Sequence, residues 1–158
     1  KSFFHSLILF FTIASKGKIM KLRFEHVAIT VSDMKKSLAF YRDILGFEVM
    51  GQLTLRDGFL IVYLKNEEGP IIELFEFAEK GEHIPENRHD RNYGFKHLCF
   101  RVDDVNAYSE YLKGHGVTFI EGPRYDEKAQ IHLAFFLDPD NNKLEITSAA
   151  AVMEQYKE

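Results

Sequence analysis

Two histidines and two glutamates recur at matching places in this chain. His26 opens the segment HVAITVSDM, and His97, 71 residues later, opens HLCFRVDDV. Glu73 lies between Ile72 and Leu74, and Glu145 between Leu144 and Ile146. The His-to-Glu separations are 47 and 48 residues. Successive side chains of a strand point to opposite faces. If Val27, Ile29 and Val31 face a core, then His26, Ala28 and Thr30 face away from it. In the repeat, Leu98, Phe100 and Val102 turn inward, and His97, Cys99 and Arg101 turn outward. The same alternation sends Glu73 and Glu145 to the histidine faces. Any one of these four residues alone reads as a polar side chain in solvent. Their repetition points instead to a ligand set. Two imidazole nitrogens and two carboxylates suit a divalent cation such as Zn²⁺, Ni²⁺, Mn²⁺ or Fe²⁺. With water completing the shell, such a site is a Lewis acid with exchangeable positions.

The elements that must position these residues also come twice. Each half reads as histidine, alternating strand, aspartate and then helix. Met34, Leu38, Tyr41 and Leu45 fall at helical spacing and stop at Gly46; Val105, Tyr108 and Leu112 do the same and stop at Gly114 and Gly116. Ser32 or Asp33, and Asp103 or Asp104, are the natural N-caps. Three strands follow each helix: Phe47–Leu53, Phe59–Lys65 and Ile71–Phe77, then Thr118–Gly122, Ile131–Leu137 and Lys143–Thr147. Turn sequences at Glu67–Pro70 and Asp138–Asn142 join the last two strands of each half. The fold expected is therefore α+β, with two βαβββ modules over residues 22–77 and 94–148 and a polar connector over 78–93. Residues 20–158 form one domain in this reading.

Composition narrows the function. The chain has 158 residues, 46% apolar and 28% charged, with a formal charge of −4 and a pI near 6.0. No Lys/Arg-rich run argues for nucleic acid as the main partner. The single cysteine excludes an intrachain disulfide framework and a Cys-based zinc finger, and it suits a reducing, cytoplasmic setting. Residues 1–19 stand apart: their only charges are Lys1, Lys16 and Lys18, and Phe3–Ala14 is nearly all apolar. That run is too short to span a bilayer. It resembles a secretory leader in part but reads better as an added or upstream-translated extension, and it is set aside. No membrane partner is expected.

The chain resembles the vicinal oxygen chelate superfamily, and within it the glyoxalase I-like branch. The resemblance runs from about Leu22 to Ser148. It rests on His26 with the strand after it, on Phe40–Phe47, which is similar to F-Y-x-x-x-L-G-[FM], on Ile72-Glu73-Leu74, and on His97–Val102. It rests also on Asp138–Glu145, which is similar to D-P-D-G-x-x-[IL]-E with Asn141 where glycine is usual. The resemblance implies paired βαβββ modules whose mixed sheet curls around a metal held by His26, Glu73, His97 and Glu145, with Ni²⁺ or Zn²⁺ favoured over Fe²⁺ or Mn²⁺. It implies a homodimer, in which His26 and Glu73 come from one subunit and His97 and Glu145 from the other; a closed cup within one chain is the alternative. Glyoxalase I (lactoylglutathione lyase) isomerises a hemithioacetal through a metal-bound enediolate while glutamate moves protons. Glu145 is the first choice for that base and Glu73 the second carboxylate. An Fe²⁺ extradiol dioxygenase would use only the His26, His97 and Glu145 positions, and a binding protein of this fold would lack the quartet.

One departure bears on the substrate. Glyoxalase I carries an arginine four residues after its first ligand to hold the glutathione carboxylate. Thr30 stands there, and Arg101 stands at the equivalent place in the second half. Both are taken as substrate-binding candidates, with a small molecule as partner. His83 and His89 read as solvated loop residues, and His115 as part of a surface turn. His132 alternates with Ala134 and Phe136 and could line the cup. Cys99 reads as a small buried packing residue. Phe59, Tyr63, Phe75 and Phe77 are core or pocket wall, two roles the sequence does not divide.

Overall fold

The first strand of each half is short and packs on the last strand of the same half. The computed structural model describes residues 22–67, 69–83 and 93–148. The extension over residues 1–19 and His89 lie outside these. The first half runs β1 (His26–Thr30), α1 (Met34–Leu38), a π-helical continuation (Ala39–Ile44), β2 (Glu48–Thr54), a 3₁₀ turn (Arg56–Gly58), β3 (Leu60–Lys65) and β4 (Ile71–Glu76). The second runs β5 (Leu98–Arg101), α2 (Val105–Gly114), β6 (Phe119–Asp126), β7 (Ile131–Leu137) and β8 (Lys143–Thr147). The strand orders are β1-β4-β3-β2 and β5-β8-β7-β6. In each sheet the first strand is parallel to the last, and the other pairs are antiparallel. These are two βαβββ modules, each with its own four-stranded mixed sheet.

The helix starts are set by aspartate. Asp33 accepts from the Lys36 N–H at 3.0 Å, and Asp104 from the Asn106 and Ala107 N–H groups at 2.8 and 3.0 Å. Of each candidate pair of caps, the second residue is the one used. The backbone N–H of Lys36 beside Asp33 also holds its carboxyl below the usual range. The first helix differs from the expected regular α-helix. From Ala39 it widens to π geometry, and Leu45 N donates to Phe40 O, five residues back, at 2.9 Å. The extra residue per turn lets the neighbours Phe40 and Tyr41 both turn inward, leaving them 6% and 0% exposed. β6 is longer than expected. Two register shifts let it continue past Gly122 and Pro123 while staying paired with β7.

One core runs through both halves. Val62, Leu64, Ile72 and Leu74 from the first sheet join Ala134, Phe136, Leu144 and Ile146 from the second, with Met34, Phe40, Tyr41, Val105 and Leu112 from the helical segments. Phe40 meets Phe136 and Phe47 meets Phe100, at ring-centroid distances of 6.4 and 5.8 Å. Polar contacts knit the same seam. Tyr41 Oη donates to Asp138 Oδ2 at 2.8 Å, Ser32 N donates to Asp140 Oδ2 at 3.0 Å, and Tyr111 Oη donates to Ile44 O at 2.9 Å. Among the described residues no helix is long and apolar enough to cross a membrane.

Candidate metal centre

Strand register places the acidic residues. β4 sets Glu73 between Ala28 of β1 and Tyr63 of β3, on the face turned away from the shared core. His26 begins β1 on that face, and its Nε2 lies 3.7 Å from Glu73 Oε2. β8 sets Glu145 between Cys99 of β5 and Phe135 of β7. His97, just before β5, brings Nε2 to 2.8 Å from Glu145 Oε2. Its ring meets Phe135 edge-on at 5.4 Å, and Lys143 Nζ lies 4.1 Å from the centroid of Phe135. Glu145 is only 8% exposed. A carboxylate that secluded needs a polar or cationic partner, which the His97 imidazole supplies.

The two halves therefore build the same device twice: an imidazole nitrogen aimed at a carboxylate on an outward sheet face. Each pair holds two donors of the kinds that bind borderline divalent metals. The pairs stay apart. Among the described residues no three His, Cys, Asp or Glu side chains gather closely enough to hold one ion. The donor types in each pair suit a divalent metal, and within one copy of the chain the two pairs do not combine into a single cluster among the described residues.

The other candidates are placed as follows. Thr30 is exposed, opposite Phe75, and Arg101 is exposed, opposite Thr147. Each is the second residue after the strand position that flanks the glutamate, so the two are equivalent. Cys99 is not the buried packing residue expected: it is exposed on the outward face. The crowding of the sheet and the neighbouring Glu145 charge push its thiol up to about 12, the opposite of what a nucleophile needs. His132 does not line the outward face. Its strand mates Ala134 and Phe136 are both fully buried in the core, so His132 shares their side of the sheet, at an exposed end where it packs on Tyr125 with ring centroids 4.9 Å apart. Leu133 and Phe135 hold the outward positions instead. His115 is an exposed turn residue whose Nδ1 lies 2.8 Å from Tyr111 O, and His83 is exposed too.

The segment Asp138–Asn142, expected as a turn, also ties the modules together. Asp138 is 5% exposed. Besides the Tyr41 hydroxyl, it accepts the N–H groups of Asp140 and Asn142 and the Asn142 side-chain amide, at 2.8–2.9 Å. The repeated aspartate of the D-P-D segment was the available signal, but its long-range partner is invisible in one dimension.

The sequence profile of the Glyoxalase/Bleomycin resistance protein/Dioxygenase superfamily matches residues 23–146. This chain belongs to that superfamily. It is 37% identical over 125 residues to Escherichia coli YaeR, an uncharacterized protein, covering 77% of this chain and 92% of the relative. It is 27% identical over 154 residues to the lactoylglutathione lyase of Schizosaccharomyces pombe, covering 86% of this chain and 50% of the yeast protein. The chain thus spans half the length of that relative. Among solved structures, a glyoxalase family protein from Enterococcus faecalis matches with a TM-score of 0.67 at 26% identity, covering 79% of this chain and 96% of that one. The βαβββ pairing of the superfamily is the architecture seen here.

Proposed function

We propose that this superfamily member is a metal-dependent lyase or isomerase of the glyoxalase I type, acting on a small substrate with vicinal oxygens such as a thiol hemithioacetal. The observation that carries the reading is the pair of matched His/Glu half-sites. In this proposal His26, Glu73, His97 and Glu145 hold one Ni²⁺ or Zn²⁺ ion. The ion supplies Lewis acidity, which lowers the pKa of a carbon acid lying between two oxygens. Glu145 takes the proton from that carbon and returns it to the neighbouring carbon; Glu73 serves the opposite side. Arg101 holds an anionic end of the substrate, a role Thr30 leaves open in the first half. A glutathione adduct is then a poor substrate, and another thiol adduct or a small α-hydroxycarbonyl compound a better one.

Convergence of the four donors calls for a homodimer with composite sites, one half-site from each subunit. The separation of the pairs within one chain supports this over a closed cup. A C₂ arrangement yields two equal sites. The lone cysteine suits a cytoplasmic enzyme.

The deciding experiment is metal analysis of wild type and His97→Ala, followed by turnover of a panel of hemithioacetals. The expected outcome is near one metal per chain in wild type, most of it lost in His97→Ala without unfolding, and turnover that follows metal content. Full occupancy in His97→Ala would refute the ligand set. Wild-type turnover of glutathione hemithioacetal as efficient as that of a dedicated glyoxalase would refute the substrate preference, whereas a rise in Thr30→Arg would sustain it.

A further inference from the structure

We propose that the outward face of the first sheet carries an aromatic subsite, built by Phe59, Phe75 and Phe77, that takes a flat apolar arm of the substrate. The inference rests on the metal-site reading above and names the kind of molecule that site accepts. Phe75 and Phe77 follow Glu73 at alternating positions, so they share its face; Phe75 stands between Thr30 and Ile61. Phe59 and Phe77 lie just past the paired ends of β3 and β4 and stack face to face, with centroids 4.3 Å apart and planes 1° from parallel. Phe75 meets Phe59 edge-on at 5.2 Å. The three rings form one preorganised apolar surface, and Phe77 is 40% exposed.

A cavity of about 380 Å³ opens beside this surface, with Phe77, Thr30 and Val31 in its wall. Its rim is polar, with Ser32, Lys80, Glu82, His83, Asp140 and Asn142, and among the described residues its one apolar ring is Phe77. Lys80 is paired with Glu76 at 2.8 Å, and Asp140 accepts the Ser32 N–H. Where a cation would hold a carboxylate there is a threonine, and next to it an aromatic ring. The two halves are thus unlike beyond their ligands: the first continues into phenylalanine rings, the second into Arg101. Strand geometry sets the reach. Phe75 and Phe77 stand about 7 and 13 Å along the strand from Glu73. An arylalkyl chain of about seven methylenes attached to a chelating group spans the longer distance.

The test uses metal-loaded protein and two hydroxamates as chelating probes, octanohydroxamate and 8-phenyloctanohydroxamate, titrated calorimetrically. The phenyl-tailed probe is expected to bind about tenfold tighter, as burial of one aromatic ring allows. Phe77→Ser should bring the two affinities within about twofold of each other, while Tyr125→Ser, which removes an exposed ring elsewhere, keeps the full difference. Equal affinities in wild type, or a difference unchanged in Phe77→Ser, overturn the subsite; a second copy of the chain covering Phe77 would give the first of these results. If neither probe binds, the metal reading fails, and the subsite is then judged on metal-free protein by amide NMR with 3-phenylpropan-1-ol. Saturable shifts at Thr30 and Phe77 sustain it, and their absence overturns it.

Discussion

Tyr41 shows how one residue couples the two halves. Its ring is fully buried, and its hydroxyl donates to the nearly buried carboxylate of Asp138, 97 residues away. Removing the hydroxyl leaves Asp138 one donor short, and a hydrogen bond to a charged group contributes about 1.5–3 kcal/mol. Tyr41→Phe should therefore lower unfolding stability at pH 7 by that amount, read from urea midpoints. Burial, and then the Asp138 charge, raise the Tyr41 phenol well above its ordinary value. A group whose folded pKa is raised lends stability that is complete below its unfolded pKa and fades as pH rises above it. That unfolded value is about 10, so Tyr41 withdraws its contribution from about pH 10 upward. Tyr41→Phe should then lose less stability than wild type over that alkaline range. Equal alkaline losses in the two proteins would show that other groups govern the transition.

At the scale of elements, β6 rests on a single backbone choice. Gly122 has φ +98°, and a Cβ built there would lie 2.7 Å from Ala134 Cα and 2.8 Å from Ala134 Cβ. Ala134 is fully buried in the middle of β7, so the strand has nowhere to retreat. Gly122→Ala combines an unfavourable backbone conformation with overpacking and should cost about 2–3 kcal/mol. A urea midpoint unchanged by the substitution would show that β6 can lift away from β7 freely. The turn after β7 makes a milder demand. Asn141 has φ +64°, a conformation that asparagine tolerates better than most residues, and this accounts for its place where the superfamily pattern has glycine.

Across the whole molecule, the decisive feature is that the His26–Glu73 and His97–Glu145 pairs are built separately. If the proposed site is composite, two disabled chains can restore one working site. His26→Ala lacks one half-site and His97→Ala the other, so after subunit exchange a mixed dimer holds one intact site and one doubly damaged site. Mixing equal amounts should regenerate about a quarter of wild-type activity, because about half the dimers are mixed and each has one of its two sites intact. Verified exchange without recovery would exclude composite sites.

The amino-acid sequence by itself determined a great deal here, because local rules and internal duplication carried it. The alternation of Val27, Ile29 and Val31 against His26, Ala28 and Thr30 follows from strand geometry alone, and so does the facing of Glu73 and Glu145. β7 and β8 fall where the sequence placed them, and both helices start at one of the expected aspartates. The tertiary structure decided what depends on contacts distant in sequence. The face of His132 was open until the burial of Ala134 and Phe136 settled it. The π-helical turn at Ala39–Ile44 accompanies the burial of both Phe40 and Tyr41 in a core that the two halves share. Phe59, Phe75 and Phe77 could not be divided between core and surface until strand pairing brought their rings together. The separation of the two His/Glu pairs was likewise beyond one-dimensional reading. Periodicity fixes which face of its own sheet a side chain takes, whereas only the packing of one sheet against the other's helix decides where that face is carried.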